Sequence, residues 1–224
     1  PNGSLRDRMF AHLSSLGKGA APAIAAHLAT TSPLIARELL ATLTRISPPA
    51  PPVEARAFLT HADPALRREA ARLLLLYDDT REPALAVAVR DDDERVAYAG
   101  LLAAQERCSP EIAAAIRQRV DRGELSEPVA RAAAIRAVGN VPNDDTLEWL
   151  LRRTLVGGGL LRRARLAPTS PELLAALNIL ASRWGNDPRT AAVLARARAS
   201  TSSSVRAAAE GGVGRLGGQQ EGVR

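Results

Sequence analysis

Three histidines, one cysteine and a run of carboxylates are the residues whose types could do chemistry in this chain of 224 residues. His12, His27 and His61 stand on three different segments. None has a second histidine three or four residues on, the spacing that sets two imidazoles on one helical face around zinc. They read as surface or capping residues, and no metal site is assigned. Cys108, in "ERCSP", has no histidine near it in sequence to generate a thiolate and reads as a structural thiol. One cysteine also excludes an internal disulfide framework. Asp78, Asp79, Glu82, Asp91, Asp92, Asp93 and Glu94 crowd the predicted turns, where carboxylates cap helix amides. They lack the loop spacing and glycine of an EF-hand, which leaves an acidic docking edge as the other reading. "GGGLL" at 157–161 lacks the Gly-Lys-Ser/Thr ending of a phosphate loop. The chemistry-bearing residues thus point away from an enzyme and require no cofactor.

Arginine stands above this background. The formal charge is +6, and Lys18 is the only lysine. Residues 152–224 hold twelve arginines against four acids, while residues 1–151 hold eighteen basic and twenty acidic residues. All the positive excess therefore falls in the last third. Arg152, Arg153, Arg162, Arg163 and Arg165 cluster around Gly157–Gly159, with Leu160, Leu161 and Leu166 available to anchor a short amphipathic turn. Guanidinium forks bind carboxylates and phosphates bidentately, so these five are the candidate partner-binding residues. The competing reading is a solvated loop in an arginine-biased sequence. Trp149 and Trp184 read as core rings, with an exposed tryptophan as the contact-surface alternative.

The elements that must position these residues repeat. In "ADPALRREAARLLLLYDD", Asp63 precedes Leu66, Arg67, Ala70, Leu73 and Leu74 at helical spacing. The frame returns after Ser32, Asp93, Ser126, Ser170 and Ser202, placing apolar anchors at Ile35, Leu66, Val96, Val129, Leu173 and Val205. All intervals but one lie near thirty residues, and the expanded one contains the basic Gly-rich insertion at about 156–169. A shorter apolar-periodic segment precedes each copy: Ala20–Thr30, Pro52–Thr60, Arg81–Val89, Pro110–Asp121, Asp144–Leu155 and Asp187–Ala199. The unit is a helical hairpin, too small to bury both faces alone, so neighbouring hairpins must stack. A leading helix is expected over Ser4–Leu16, and the tail 218–224 reads as flexible.

The frame "DPALRREAARLL" resembles the HEAT repeat, particularly the short bacterial HEAT-like kind, over about residues 19–217. The resemblance implies an all-α fold: one right-handed α-solenoid of about six hairpins over residues 1–217, its concave face lined by second helices. It also implies a ladder in which a turn carboxylate caps the second helix and the next arginine pairs with a nearby carboxylate. Asp63, Arg67, Asp93 and Arg206 match those positions, with Ser126, Ser170 and Ser202 standing in for Asp.

With no catalytic set, the expected function is a non-enzymatic protein-interaction scaffold or accessory subunit. It would hold an acidic protein partner through its concave face or its basic C-terminal third. The alternative is a nucleic-acid-binding HEAT-like module using the same arginines, with Arg37, Arg68 and Arg131 at nearly the same repeat position. Aromatic residues for base stacking are scarce, at 3%. A chromophore-lyase activity, found in related short HEAT-like proteins, would want more aromatic pocket residues than these. No apolar run approaches the roughly 18–20 residues of a membrane span. The single cysteine and the absence of a signal-peptide pattern fit a reducing compartment such as the cytoplasm and leave an exported form, or a module of a larger chain, open.

Overall fold

The computed structural model describes residues 17–157 and 164–211, together with Arg8, His12, Leu13 and Ser15. The leading helix expected over Ser4–Leu16 and the tail 218–224 lie largely or wholly outside the described residues. The fold is all-α: among the described residues, regular structure is helical apart from one two-strand ladder. The chain forms two compact units, Pro1–Leu125 and Ser126–Arg224. Their boundary falls between the two helices of the fourth predicted hairpin.

The first unit contains α1 (Ala21–Leu28), α2 (Pro33–Ile46), a 3-10 helix at Val53–Thr60, α3 (Pro64–Leu74), α4 (Asp78–Ala88), α5 (Glu94–Ala104) and α6 (Pro110–Asp121). Second helices pack on second helices, α2 on α3 and α3 on α5, and first elements on first elements, α1 on the 3-10 helix and that helix on α4. Leu40, Leu43, Leu66, Leu73, Leu74, Leu85 and Leu101 fill the space between the two rows. Small residues let the backbones approach. A Cβ on Gly100 of α5 would lie 2.9 Å from Ala88 Cβ and 3.0 Å from the Val89 amide nitrogen.

The second unit contains α7 (Pro128–Gly139), α8 (Asp144–Thr154), β1 (Leu155–Val156), β2 (Arg165–Leu166), α9 (Pro171–Trp184), α10 (Pro188–Arg198) and α11 (Ser203–Ala209). It uses the same scheme: α7 on α9 on α11, and α8 on α10. Here Gly139 makes room for Ile179, whose Cγ2 would be 2.6 Å from an added Cβ.

Most helix starts follow the cap chemistry read from the sequence; Ser32 stands at the cap of α2 but its side chain accepts no first-turn amide. Asp63, Asp93, Ser170 and Ser202 each accept an amide from their own first turn, as do Ser109, Asn143 and Asp187. Each such bond satisfies an amide that the helix itself leaves unpaired and is worth about 1 kcal/mol.

Three local expectations are corrected. The helix expected from Arg81 begins at Asp78, because Asp78 and Asp79 occupy its first turn, where carboxylates favour the positive helix end. The segment at Val53–Thr60 is a 3-10 helix; Pro52 at its cap position brings no side-chain acceptor. Around the basic insertion, the expected amphipathic turn at Leu166 is a strand: Leu155 pairs with Leu166 and Val156 with Arg165, antiparallel. Gly157, at φ +72°, turns the chain out of β1 in a conformation that side chains resist.

Candidate functional site

The predicted partner-binding arginines divide between the end of α8 and the strand pair. Arg152 and Arg153 occupy the last turn of α8, where cations favour the negative helix end. Arg152 is exposed and lies 3.9 Å from Glu148, one turn back, a weak pairing. Arg153 lies over the Trp149 ring, its guanidinium carbon 4.4 Å from the centroid. Trp149 itself is buried in the core, and Trp184 is half-buried at the end of α9. β1 continues directly from α8, and Arg165 on β2 is exposed opposite Val156. The backbone ladder, extended by the Ala167 amide to the Thr154 carbonyl at 2.9 Å, thus brings Arg165 back beside the end of α8. Arg162 and Arg163, with Leu160 and Leu161, lie outside the described residues.

The arginine ladder is built from one repeated turn. In the turn before α3, the His61 Nδ1 accepts the Asp63 amide at 2.9 Å. Before α5, Asp91 accepts the Asp93 amide at 2.9 Å, and before α11, Ser200 accepts the Ser202 amide at 3.2 Å. Arg67, at the fourth position of α3, donates Nη1 to the carbonyls of His61 and Ala62. Arg206, at the fourth position of α11, does the same to Ser200 and Thr201. Carbonyls that would otherwise point into a tight turn are satisfied by a charge fixed on the following helix.

Arg67 also reaches forward, gripping Asp91 with Nε at 2.7 Å and Nη2 at 2.8 Å. Burial alone would raise the Asp91 carboxyl. The Arg67 and Asp93 hydrogen bonds, with the charges of Arg67 and Arg119, outweigh it and hold Asp91 below its ordinary pKa. Asp91 and Asp93 therefore serve the turn and its ladder.

Ser126 departs from the frame. α7 is capped one residue later, at Glu127, whose side chain does not accept from the helix's first amides, and Ser126 offers its carbonyl to Arg131. The shift makes Ala130, 2% exposed, the inward anchor, while Val129 stands out at 53%. Pro128 at the first helical position sets the register. Arg131 thereby becomes the fourth-position arginine of α7 and pairs with Glu172 of α9. Ile35 on α2 is likewise turned out, at 40%, with Ala36 beneath it.

Two sets of residues escaped the sequence reading. Thr80, Thr146 and Thr190 are buried at the third position of α4, α8 and α10. Thr80 donates its hydroxyl to the Leu74 carbonyl at 2.6 Å, and Thr190 to the Trp184 carbonyl at 2.7 Å, tying each first helix to the end of the preceding second helix. The signal was present as "DDT", "DDT" and "DPRT". Arg119 of α6 is buried and donates to the Val89 carbonyl at 2.7 Å, a contact thirty residues distant that no local pattern announces.

Cys108 is half-buried, and desolvation followed by the Glu82 charge pushes its thiol up to about 11, so it is a poor nucleophile near neutral pH. His27 and His12 are exposed. Among the described residues no group of three or more His, Cys, Asp or Glu is placed to hold a metal ion, and no helix is long and apolar enough to cross a membrane. Compared with protein-family models, curated proteins and solved structures, the chain finds no match.

Proposed function

We propose that the chain is a non-enzymatic interaction scaffold or accessory subunit, a right-handed HEAT-like α-solenoid in which an arginine-bearing insertion holds an acidic protein partner. The architectural part is supported by the recurrence, within each unit, of second helices on second helices and first elements on first elements. The repeated turn with its fourth-position arginine supports it as well.

The functional part rests on one observation: the expanded interval leaves the helical rows as a strand pair that sets Arg165 opposite Val156, in the strand that continues from the helix end bearing Arg152 and Arg153. The fourth-position arginines Arg67, Arg131 and Arg206 are spent on turns and ladders. Arg165 is exposed, and among the described residues Arg152 has a long contact to Glu148. Carboxylates on a partner would meet guanidiniums presented from a helix end and a strand rather than from a free chain, which lowers the ordering cost of binding.

The test is affinity capture with and without nuclease, using the parent and a variant with Arg152, Arg153, Arg162, Arg163 and Arg165 all changed to Ser. A defined protein that survives nuclease and is lost in the variant supports the reading. Capture that vanishes with nuclease and weakens steeply with salt favours the nucleic-acid alternative. Identical capture by both proteins reduces the insertion to a solvated loop.

A further inference from the structure

We propose that the open face of α2, α3 and α5 binds an extended acidic peptide segment carrying an apolar anchor. This deepens the scaffold reading and rests on it, but it concerns the first unit and none of the insertion arginines.

The first 151 residues are acidic on balance, yet folding sorts their charges. The acids gather at turns, whereas the second helices lie side by side with first elements behind them, leaving one face open among the described residues. At the fifth helical position that face carries Arg37, Arg68 and Tyr98; at the ninth, Ala41, Arg72 and Leu102. The Arg37, Arg68 and Arg72 side chains are 37%, 34% and 56% exposed, and Leu102 is 46% exposed.

The sixth position supplies the carboxylates, Glu38 and Glu69, and both are engaged by the arginines beside them, so that neither faces an incoming anion unpaired. Arg37 Nη2 donates to Glu38 at 3.0 Å. Glu69 is buried; it accepts Arg68 Nε and Nη2 at 3.1 and 3.0 Å and lies 3.5 Å from Arg72 Nη1. One carboxylate thus orients two guanidiniums and leaves a surplus positive charge over α3. Arginines held this way lose less freedom when an anion arrives.

The chemistry changes along the row, from basic on α2 and α3 to apolar on α5, where Tyr98 and Leu102 stand. Packed helices lie about 8–10 Å apart, and an extended chain advances about 3.4 Å per residue. About three residues therefore carry a peptide from one helix to the next. The fitting segment has acidic residues near Arg37, more acids about three residues on near Arg68 and Arg72, and an aliphatic or aromatic residue about three further, over Tyr98 and Leu102. A phosphate backbone fits worse: α5 offers it no guanidinium at either position, only Tyr98 and Leu102.

The test is fluorescence anisotropy with a labelled peptide, Gly-Glu-Glu-Ser-Glu-Glu-Ser-Leu-Leu-Gly, against versions with Lys for Glu or Ser for Leu and against a labelled oligothymidylate. Saturable binding of the parent peptide is expected, weakened about tenfold or more by Arg72→Glu and several-fold by Leu102→Ser. The serine variant of the insertion should bind it like the parent. Both point variants alter exposed positions, and thermal melts by circular dichroism confirm that they remain folded. Absence of peptide binding, unchanged affinity in a folded Arg72→Glu, or tighter binding of the oligonucleotide overturns the proposal. If the insertion variant alone loses the peptide, the face is wrong while the scaffold reading stands.

Discussion

Arg67 in the first unit and Arg131 in the second stand at the same helical position and hold the same kind of turn carbonyl, yet they find their acids in different places. Arg67 grips Asp91, in the turn before the next second helix; Arg131 grips Glu172, inside the first turn of the next second helix. The reason lies in the connection. In the first unit a helical turn leads directly from α4 to α5, so a turn residue is in reach. In the second, the chain returns through β2, and the acid is supplied by the helix itself. The fourth-position arginine is fixed by helix geometry, whereas its partner need only arrive within hydrogen-bonding distance. A ladder of this kind is a spatial regularity: the sequence frame finds Arg67 but, anchored on Ser126, groups Arg131 with Arg37 and Arg68, one position too far along its helix.

The largest expected difference between the units comes from breaking these two pairs. The Asp91 side chain is 6% exposed, so Arg67→Ala strands a buried carboxylate and should cost about 3 kcal/mol by urea denaturation. Arg131→Ala leaves Glu172, 22% exposed, better hydrated, and should cost about 1 kcal/mol. Equal losses would refute the argument that burial of the acid sets the difference.

Next in size are the two helical glycines. Gly100→Ala drives a methyl against the Ala88–Val89 backbone, which cannot yield, and should lower stability by about 1–2 kcal/mol despite a better helix propensity. Gly139→Ala meets only the side chain of Ile179, which can rotate, so a change within about 0.5–1 kcal/mol of zero is expected. Thermal melts of the two variants, side by side, decide it.

Acid sharpens the comparison further. For Glu172, burial opposes the charged form, but hydrogen bonds from its own amide, Arg131 and Ser170 prevail, so it too lies below its ordinary pKa. For both acids the unfolded chain takes up a proton first as pH falls. Their stabilisation is complete above the ordinary carboxylate range, about pH 4, and is lost as pH drops through the folded values. Asp91→Asn and Glu172→Gln should therefore destabilise more at pH 5 than at pH 3, measured as urea midpoints. A pH-independent loss would show that charge is not what these acids contribute.

The smallest effects belong to the insertion. Arg153→Ser removes the stacking on Trp149 and should cost about 0.5–1 kcal/mol, with a change in tryptophan emission. Arg152→Ser should leave stability within about 0.5 kcal/mol of the parent. If Arg152→Ser nonetheless abolishes partner capture, its role is contact and not folding.

Local information reached far in this chain. Asp63, Asp93, Ser170 and Ser202 cap their helices as their types and neighbours required, because a cap bond closes within three residues. The inward positions of Leu66, Val96, Leu173 and Val205 follow from helical spacing alone. At Ser126 the frame expects the cap, but Pro128 at the first helical position puts Glu127 there, which shifts Val129 outward. The strand pair depends on Leu155 meeting Leu166 across the insertion, and neither segment is long or alternating enough to declare itself.

The sequence by itself determined the helical periodicity, most of its caps and the surplus of arginine, since periodicity, cap bonds and charge act between near neighbours or simply add. Only the tertiary structure decided which arginines are consumed in turns and which face solvent. Arg119 ends buried against Val89 and Arg67 on Asp91, while Arg72 stands open on a face whose surrounding sequence is acidic. The fate of a charge is set by groups tens of residues away, and distance along the chain carries no record of them.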